Sequence, residues 1–210
     1  HARQFKARTG KPYLIQSNVG DPAYAARNQY TYMMAHGEAL FPDARHIRLA
    51  TPVGRKVAAF FKQLNDERLG TQDMDTPAAI AAFVNGEGGI YPTGTWMIGS
   101  FQQESVTPGR PLHNNYAVFP YPRLWGERVE FVGGHAWVVP ARKRTAKQRE
   151  AIARLFRFMA AHNYDWARTG HLPAFQAVLD DPRFKALPHR SDIAPLAEIG
   201  RPLPGYVRRQ

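Results

Sequence analysis

The chain has 210 residues, contains no cysteine and carries a formal net charge of +11 at pH 7. Its hydrophobic share of 44% and aromatic share of 12% are typical of a globular protein with a sizeable core and exclude a largely disordered one. The lack of cysteine excludes disulfides, thiolate metal sites and a cysteine nucleophile. No run approaches the roughly 18 apolar residues that a membrane-spanning helix needs.

The first third of the chain is predicted to combine short helices with a strand. A basic helix over residues 2–9 is expected to end at Gly10, and Tyr13–Ile15 is a strand candidate. Asp21-Pro22 and Thr51-Pro52 each combine an N-cap residue with a proline at the first helical position, where the missing N–H costs nothing. A helix is therefore predicted after each of these pairs.

The stretch Thr76–Phe101, TPAAIAAFVNGEGGIYPTGTWMIGSF, is predicted to form a capped helix, a glycine break, a short buried strand and a second break. Thr76 is the predicted N-cap, and Ile90-Tyr91 is the predicted strand. The second break places the indole of Trp96 at a helix start, beside free backbone N–H groups. An aromatic platform at such a position can hold a polar small molecule, although burial in the core is the commoner role of tryptophan.

The second half of the chain is predicted to contain two further strands and one long helix. Tyr116–Pro120 and His135–Val139 are apolar runs bounded by turn residues, and residues 104–111 are a predicted polar turn region. Thr145 and Gln148 form a capping box. An apolar stripe at helical spacing follows this box: Ile152, Leu155, Phe156 and Met159. Because strands alternate with helices over most of the length, the sequence predicts an α/β layered fold.

The positive charge leaves an anionic partner or ligand open. The densest group of basic residues surrounds the predicted start of the long helix: Arg142, Lys143, Arg144, Lys147 and Arg149. A group of this kind is more often a solvated face than a phosphate-binding surface. No zinc-finger spacing, RNA-recognition aromatic pair or basic zipper is present. A nucleic-acid partner is therefore not expected, although a basic nucleic-acid-binding domain remains an alternative.

The sequence lacks the motifs of the common catalytic and metal sites. Eight histidines are present, but they form no H-E-x-x-H motif and no i, i+4 pair. No G-x-S-x-G elbow, phosphate-binding loop or dinucleotide-binding glycine motif occurs. Four glutamates are candidates for a glycosidase-like carboxylate pair: Glu87, Glu104, Glu127 and Glu130. Binding is favoured over catalysis, with no metal, cofactor or catalytic residue predicted, and a carbohydrate-active hydrolase is the alternative enzyme.

Four segments, in their order and spacing, resemble a known family: AAIAAFVNGEGGIYPTGTWMIGSF, FPYP, VGGHAWVVPARKRTAKQREAIARLFRFM and WARTGHLPAFQAVLDDPRF. They resemble the sugar-binding extracellular solute-binding proteins of ABC importers, such as the maltodextrin and glycerol-phosphate binders. The resemblance extends roughly from Ala2 to Tyr206. The chain departs from the family pattern at Gly88–Tyr91, where relatives usually have A-A-M, and at Thr95, where many have proline.

The resemblance implies a type II periplasmic-binding-protein-like lobe with three αβα layers, as a fragment of a two-lobed clamp that closes by a hinge motion. Residues 1–132 would be the first part of the C-terminal ligand-binding lobe, and residues 162–210 would be the part that returns to it. Residues 133–161 would cross to the N-terminal lobe. Most of the N-terminal lobe would be missing. This agrees with the start of the chain, which resembles the end of a helix.

The resemblance also implies eight ligand-contacting positions: Trp96, Gly94, Gly133, Gly134, His135, Tyr24, Arg201 and Tyr206. Trp96 would stack on a sugar face, and Gly94 would let the backbone approach the ligand closely. The glycines and His135 would offer hydrogen-bond donors near the hinge, and Tyr24 would be a second aromatic wall. Arg201 and Tyr206 lie in the segment RPLPGY, where the arginine would bind a phosphate or a carboxylate.

The function implied by the resemblance is capture of a carbohydrate, a polyol or a phosphorylated polyol and its delivery to the membrane permease of an ABC importer. The expected partners are that small molecule, the permease and the N-terminal lobe of the same protein. The implied location is periplasmic or extracellular, with a possible lipid anchor on the full-length protein.

Overall fold

The structure, a computed structural model, describes residues 1–20 and 22–205. Its helices are α1 (Ala2–Thr9), α2 (Pro22–Ala35), α3 (Pro52–Asp66), α4 (Thr76–Val84), α5 (Ile98–Val106), α6 (Ala146–Ala161), α7 (Asn163–Ala167), α8 (Gln176–Leu179), α9 (Pro182–Lys185), α10 (Arg190–Ile193) and α11 (Leu196–Ile199). A 3-10 turn, Thr95–Met97, precedes α5. Two short strands, β1 (Glu130–Phe131) and β2 (Gly200–Arg201), pair in parallel.

Three of the predicted helix boundaries that depend on local chemistry are confirmed, while the predicted N-cap Asp21 lies outside the described residues. The hydroxyl of Thr51 accepts a hydrogen bond from the Gly54 N–H at 2.9 Å at the start of α3. Thr145 and Gln148 form both bonds of the capping box that opens α6. Gly10 ends α1 in the left-handed conformation, with φ of 72°. Each of these signals acts within a few residues, so tertiary packing does not override it.

Three extended segments lie side by side in the first half of the chain. Leu14 forms a parallel bridge with Gly70 on one side and with Ile90 on the other. The Ile15 N–H donates to the Ile90 carbonyl oxygen at 2.8 Å. A Cβ at Gly88 would lie 2.5 Å from the Ile15 side chain, so glycine at this position lets these segments approach closely. The two predicted strands are therefore confirmed as paired extended segments.

The described residues form two apolar clusters. The larger one lies between α2 and α3 and has five buried members: Tyr30, Tyr32, Met33, Leu40 and Val57. The smaller one packs α4 on the central segment through Ile15, Ala79 and Ala82. Phe83 at the end of α4 continues the second cluster to α5, with its ring centroid 4.9 Å from that of Phe101. The turn that carries Trp96 is thus held between two helices that share a core.

Two local predictions in the Thr76–Val106 region are wrong. The N-cap of α4 is Asp75, whose carboxylate accepts a hydrogen bond from the Ala78 N–H at 2.8 Å, and Thr76 is the first helical residue. Both residue types are good caps, and a shift of one position is within the usual uncertainty of helix ends. The predicted polar turn also begins too early, because α5 continues to Val106.

The predicted strands at Tyr116–Pro120 and His135–Val139 are not formed within residues 1–20 and 22–205. Both segments are free of regular secondary structure. In the second of them Trp137 is 76% exposed. A strand needs a neighbour that pairs with its backbone groups, and an apolar run indicates only that the residues suit such a neighbour. The described part of the chain supplies none to these two segments.

Residues 133–161 expose much apolar surface. Helix α6 contains no buried residue, and its exposed apolar side chains include Leu155, Phe156 and Phe158. Such a helix gains little stability from packing within the described chain. No helix among residues 1–20 and 22–205 has the length and apolar composition required to cross a membrane.

Candidate ligand-binding site

Trp96 lies on an exposed turn between the central segments and α5. The 3-10 turn Thr95–Met97 begins after Gly94, and the Met97 N–H donates to the Gly94 carbonyl oxygen at 3.1 Å. The tryptophan side chain is 49% exposed. A half-exposed indole on a turn held by two packed helices offers a flat apolar surface to a ligand. Whether a ligand contacts it remains a prediction.

Gly94 is required at its position because the indole of Trp96 lies against it. A Cβ at residue 94 would overlap the six-membered part of the indole ring. The backbone there is extended, with φ of −86° and ψ of 162°, so glycine is needed for space and not for a left-handed conformation. The sequence prediction gave Gly94 a role in close ligand approach, and its contact in the structure is with Trp96.

A second loop packs against the Trp96 turn. The Gly99 N–H donates to the Thr169 carbonyl oxygen at 3.2 Å. Gly170 has φ of 131°, and a Cβ there would overlap the Thr95 carbonyl oxygen. Only glycine combines this backbone conformation with so close an approach. The loop brings His171, the next residue, to the neighbourhood of Trp96.

His171 joins an aromatic group of which the sequence prediction named only Trp96 and His135. Its ring stacks on the indole of Trp166 with centroids 4.2 Å apart and planes 14° apart. His135 meets His171 edge to face at 5.9 Å. Trp166 is 41% exposed. We call Trp96, Trp166, His135 and His171 the outer aromatic surface. The signal in the sequence was the segment WARTGHLP, in which Trp166 lies four residues before Gly170 and His171 follows it directly.

The electrostatics around His171 favour its neutral form. Burial, His135 and Arg190, in that order, lower the pKa of His171 below its usual range. A neutral histidine has one N–H donor and one acceptor nitrogen, which suits a ligand that carries hydroxyl groups. The guanidinium of Arg190 is itself buried and donates to the carbonyl oxygens of Ala167 and Gly170, at 3.0 and 3.2 Å. It therefore fixes the loop that presents His171.

Three other predicted ligand-contacting residues, Tyr24, Gly133 and Gly134, lie at separate places in the structure. Gly133 and Gly134 are exposed, and the space around the Cα of Gly134 is open. Tyr24 lies in the first turn of α2 but is only 6% exposed. Burial raises its pKa to about 12, and the side chain of Asn28 offsets part of this effect. Its role as an aromatic wall stays a prediction.

The predicted anion-binding segment is described only in part. Arg201 lies in β2, and its guanidinium donates to the backbone carbonyl oxygens of Glu198 and Gly200 at 2.8 and 3.0 Å. Tyr206 lies outside the described residues. Among residues 1–20 and 22–205, no group of three or more histidine, aspartate or glutamate side chains is placed to hold a metal ion.

A cavity of about 140 Å³ lies behind the Gly94–Thr95 turn. Its wall is formed by that turn, α4, α5, residues 116–122 and β1. Glu130 of β1 reaches it, and burial raises the pKa of this carboxyl to about 7. The Tyr121 N–H donates to a carboxylate oxygen of Glu130 at 3.3 Å, and this bond and Arg128 offset the effect of burial only in part. Sequence reasoning considered Glu130 only as half of a catalytic pair.

An α/β lobe that exposes an aromatic surface from its loops has features suited to a binding protein. Comparison with known families agrees with this class: the model described as "Bacterial extracellular solute-binding protein" matches residues 3–192. The chain belongs to this family. Its members are binding proteins and not enzymes, and the family is periplasmic or extracellular.

The fold is similar to that of a solved structure, maltose-bound T. maritima MalE3, with a TM-score of 0.76 and 18% sequence identity. The match covers 99% of this chain and 54% of that one, so the chain spans about half the length of this relative. The similarity confirms the type II periplasmic-binding-protein fold predicted from the sequence. Comparison with curated protein sequences gave no match.

Proposed function

We propose that this chain forms the ligand-binding lobe of the substrate-binding component of an ABC importer. The ligand is a carbohydrate, a polyol or a phosphorylated polyol, which the protein captures outside the cytoplasm and delivers to a membrane permease. The observation that carries this proposal is the outer aromatic surface, in which the half-exposed Trp96 lies next to the loop that presents His171. Apolar sugar faces bind aromatic rings, and sugar hydroxyls bind neutral imidazole.

The proposal includes a second lobe that covers residues 133–161. Three features support this: the extended segment before α6 is exposed, α6 buries none of its residues, and its apolar stripe faces no core. The division into residues 1–132, 133–161 and 162–210 follows from it. The crossing segment also carries His135, whose ring meets that of His171 at 5.9 Å, so a hydrogen-bond donor from the hinge lies near the loop beside Trp96.

Within this proposal, the basic residues have two alternative roles. Arg201 would bind the phosphate of a phosphorylated polyol only if it exchanged its present backbone acceptors for the ligand. The basic residues that precede and open α6 would instead face the permease or the membrane surface. A lipid anchor on the full-length protein would keep that surface near the bilayer.

The test is the Trp96→Ala substitution in a protein that includes both lobes. A thermal-shift screen of sugars, polyols and their phosphates, with maltose as the first probe, identifies a ligand, and calorimetry then measures its affinity. We expect Trp96→Ala to weaken binding at least tenfold, because the stacking surface is removed. The thermal stability of the ligand-free protein should change little, since the side chain is half exposed.

Trp96→Phe is the matched control, because it keeps an aromatic face of smaller area. We expect its loss of affinity to be smaller than that of Trp96→Ala. Unchanged affinity in both variants would remove Trp96 from the site. Tight binding by the 210-residue chain alone would contradict the two-lobed account.

A further inference from the structure

The cavity behind the Gly94–Thr95 turn has an unusual lining. Aromatic side chains contribute much of its wall: Phe83, Tyr91, Phe101, Tyr116, Phe119 and Tyr121. Among the described residues that line it, Glu130 is the only charged one. Its volume of about 140 Å³ corresponds to roughly four or five water molecules, or to one small organic group.

The aromatic wall is fixed by contacts between its rings. The centroids of Phe83 and Phe101 are 4.9 Å apart, those of Phe83 and Tyr91 are 5.9 Å apart, and those of Phe101 and Tyr116 are also 5.9 Å apart. These offset and edge-to-face contacts restrain the rings. The wall belongs to the same cluster that joins α4 and α5, so it cannot collapse into the cavity without disturbing that core.

Glu130 has one hydrogen bond from the backbone and no ion pair among the described residues. Arg128 is near enough to favour the ionised form, but the effect of burial is larger. A half-buried carboxylate without a counter-ion is costly, and a cation in the cavity would remove much of that cost. A phosphate or a carboxylate in the same place would be repelled.

We propose that this cavity binds a small organic ammonium group, held by the carboxylate of Glu130 and by the faces of the surrounding aromatic rings. Carboxylates attract ammonium groups through charge-assisted hydrogen bonds, and aromatic rings attract them through cation–π interaction. Trp96 does not line the cavity. The cavity adjoins the outer aromatic surface through Gly94 and Thr95 but is lined mainly by other side chains, so the inference goes beyond the proposed function.

Binding of this kind is pH dependent. The ionised form of Glu130 binds the ammonium group, and its fraction rises from about a tenth at pH 6 to about nine tenths at pH 8 for a pKa of about 7. Affinity should therefore rise roughly tenfold over this range and then level off. The other titratable groups near Glu130 or in the cavity wall are Tyr24, Tyr32, Tyr91, Tyr116 and Tyr121, and the nearby arginines are Arg27, Arg128 and Arg201. Burial raises the pKa of Tyr24, Tyr32, Tyr116 and Tyr121 above the usual value of tyrosine, so these four do not titrate between pH 6 and 8.

The experiment uses three probes of similar shape on the 210-residue chain: n-propylammonium, n-propanol and propionate. Heteronuclear NMR titration at constant ionic strength reports binding through shifts of the amides of Gly94, Tyr121 and Glu130. We expect saturable shifts with n-propylammonium, weaker ones with n-propanol and none with propionate. Absence of saturable shifts with n-propylammonium up to 100 mM would overturn the proposal, and so would equal binding of n-propanol.

Glu130→Gln and Glu127→Gln form a matched pair of variants. Glu127 lies three residues before Glu130 and is exposed, so its substitution should leave binding unchanged. Glu130→Gln should weaken binding at least tenfold at pH 8 and abolish its pH dependence. Circular dichroism checks that both variants are folded. Equal affinity in the two variants would overturn the assignment of Glu130, whatever the outcome of the sugar screen.

Discussion

Gly94 and Trp96 depend on one another. The indole occupies the space that a side chain at residue 94 would need, and the extended backbone of Gly94 starts the turn that exposes the indole. A family pattern of glycine followed two residues later by tryptophan therefore has a packing reason in this protein. That reason is local and holds whether or not a ligand is bound.

The Gly94→Ala substitution tests this dependence. We expect the indole to leave its place, because the new Cβ would overlap the ring. Since the displaced group is a half-exposed side chain, the loss of folding stability should be about 1 kcal/mol or less. Near-UV circular dichroism and tryptophan fluorescence should both change.

Gly134→Ala is the control for this prediction, because the space around Gly134 is open. Its tryptophan spectra should match those of the unmodified chain. Unaltered spectra in Gly94→Ala would show that the indole does not rest on residue 94.

Helix α4 shows how element boundaries depend on a single hydrogen bond. Asp75 and Thr76 are adjacent candidates for its N-cap, and the sequence patterns of both are favourable. In the structure the Asp75 carboxylate accepts from the Ala78 N–H, and Thr76 is already helical. A negative charge at this end also interacts favourably with the helix dipole.

Separate substitutions of Asp75 and Thr76 test which of them is the N-cap of α4. Asp75→Ala should destabilise the chain by about 1 kcal/mol, because the Ala78 N–H loses its acceptor and the helix start loses a negative charge. Thr76→Ala should change stability by less than about half of that. Urea unfolding with a common slope measures both differences. A larger effect at Thr76 than at Asp75 would reverse the assignment of the cap.

Across the whole molecule, residues 133–161 differ most clearly from the segments that form the α2–α3 core. Helix α3 buries Val57 and packs on α2, whereas α6 buries no residue despite a complete capping box. An N-cap fixes where a helix begins but contributes only about 1 kcal/mol of stability. Most of the stability of a helix comes from the face that packs on the core.

Hydrogen exchange tests whether a second lobe covers this segment. In the 210-residue chain the amides of residues 133–161 should exchange much faster than those of α3, because opening α6 exposes no core. In a protein that includes both lobes they should become protected, while α3 should change little. Equally fast exchange of residues 133–161 in the two-lobed protein would contradict the proposed division of the chain.

The sequence by itself determined the features that act over a few residues and the order of the segments. The Thr51 cap and the Thr145–Gln148 box are side chain–backbone bonds between near neighbours, so their chemistry is visible in the sequence. The type II periplasmic-binding-protein fold was also predictable, because four segments of the sequence resemble those of a known family in their order and spacing.

Only the tertiary structure decided which distant residues meet. His171 lies beside the Trp96 turn because a glycine loop packs there, and neither residue's neighbours in sequence indicate this contact. Glu130 has a raised pKa because the fold buries it among aromatic rings, and Tyr24 lies inside although it begins a helix. Side-chain burial and contacts between loops depend on the packing of the whole lobe, which local sequence patterns do not specify.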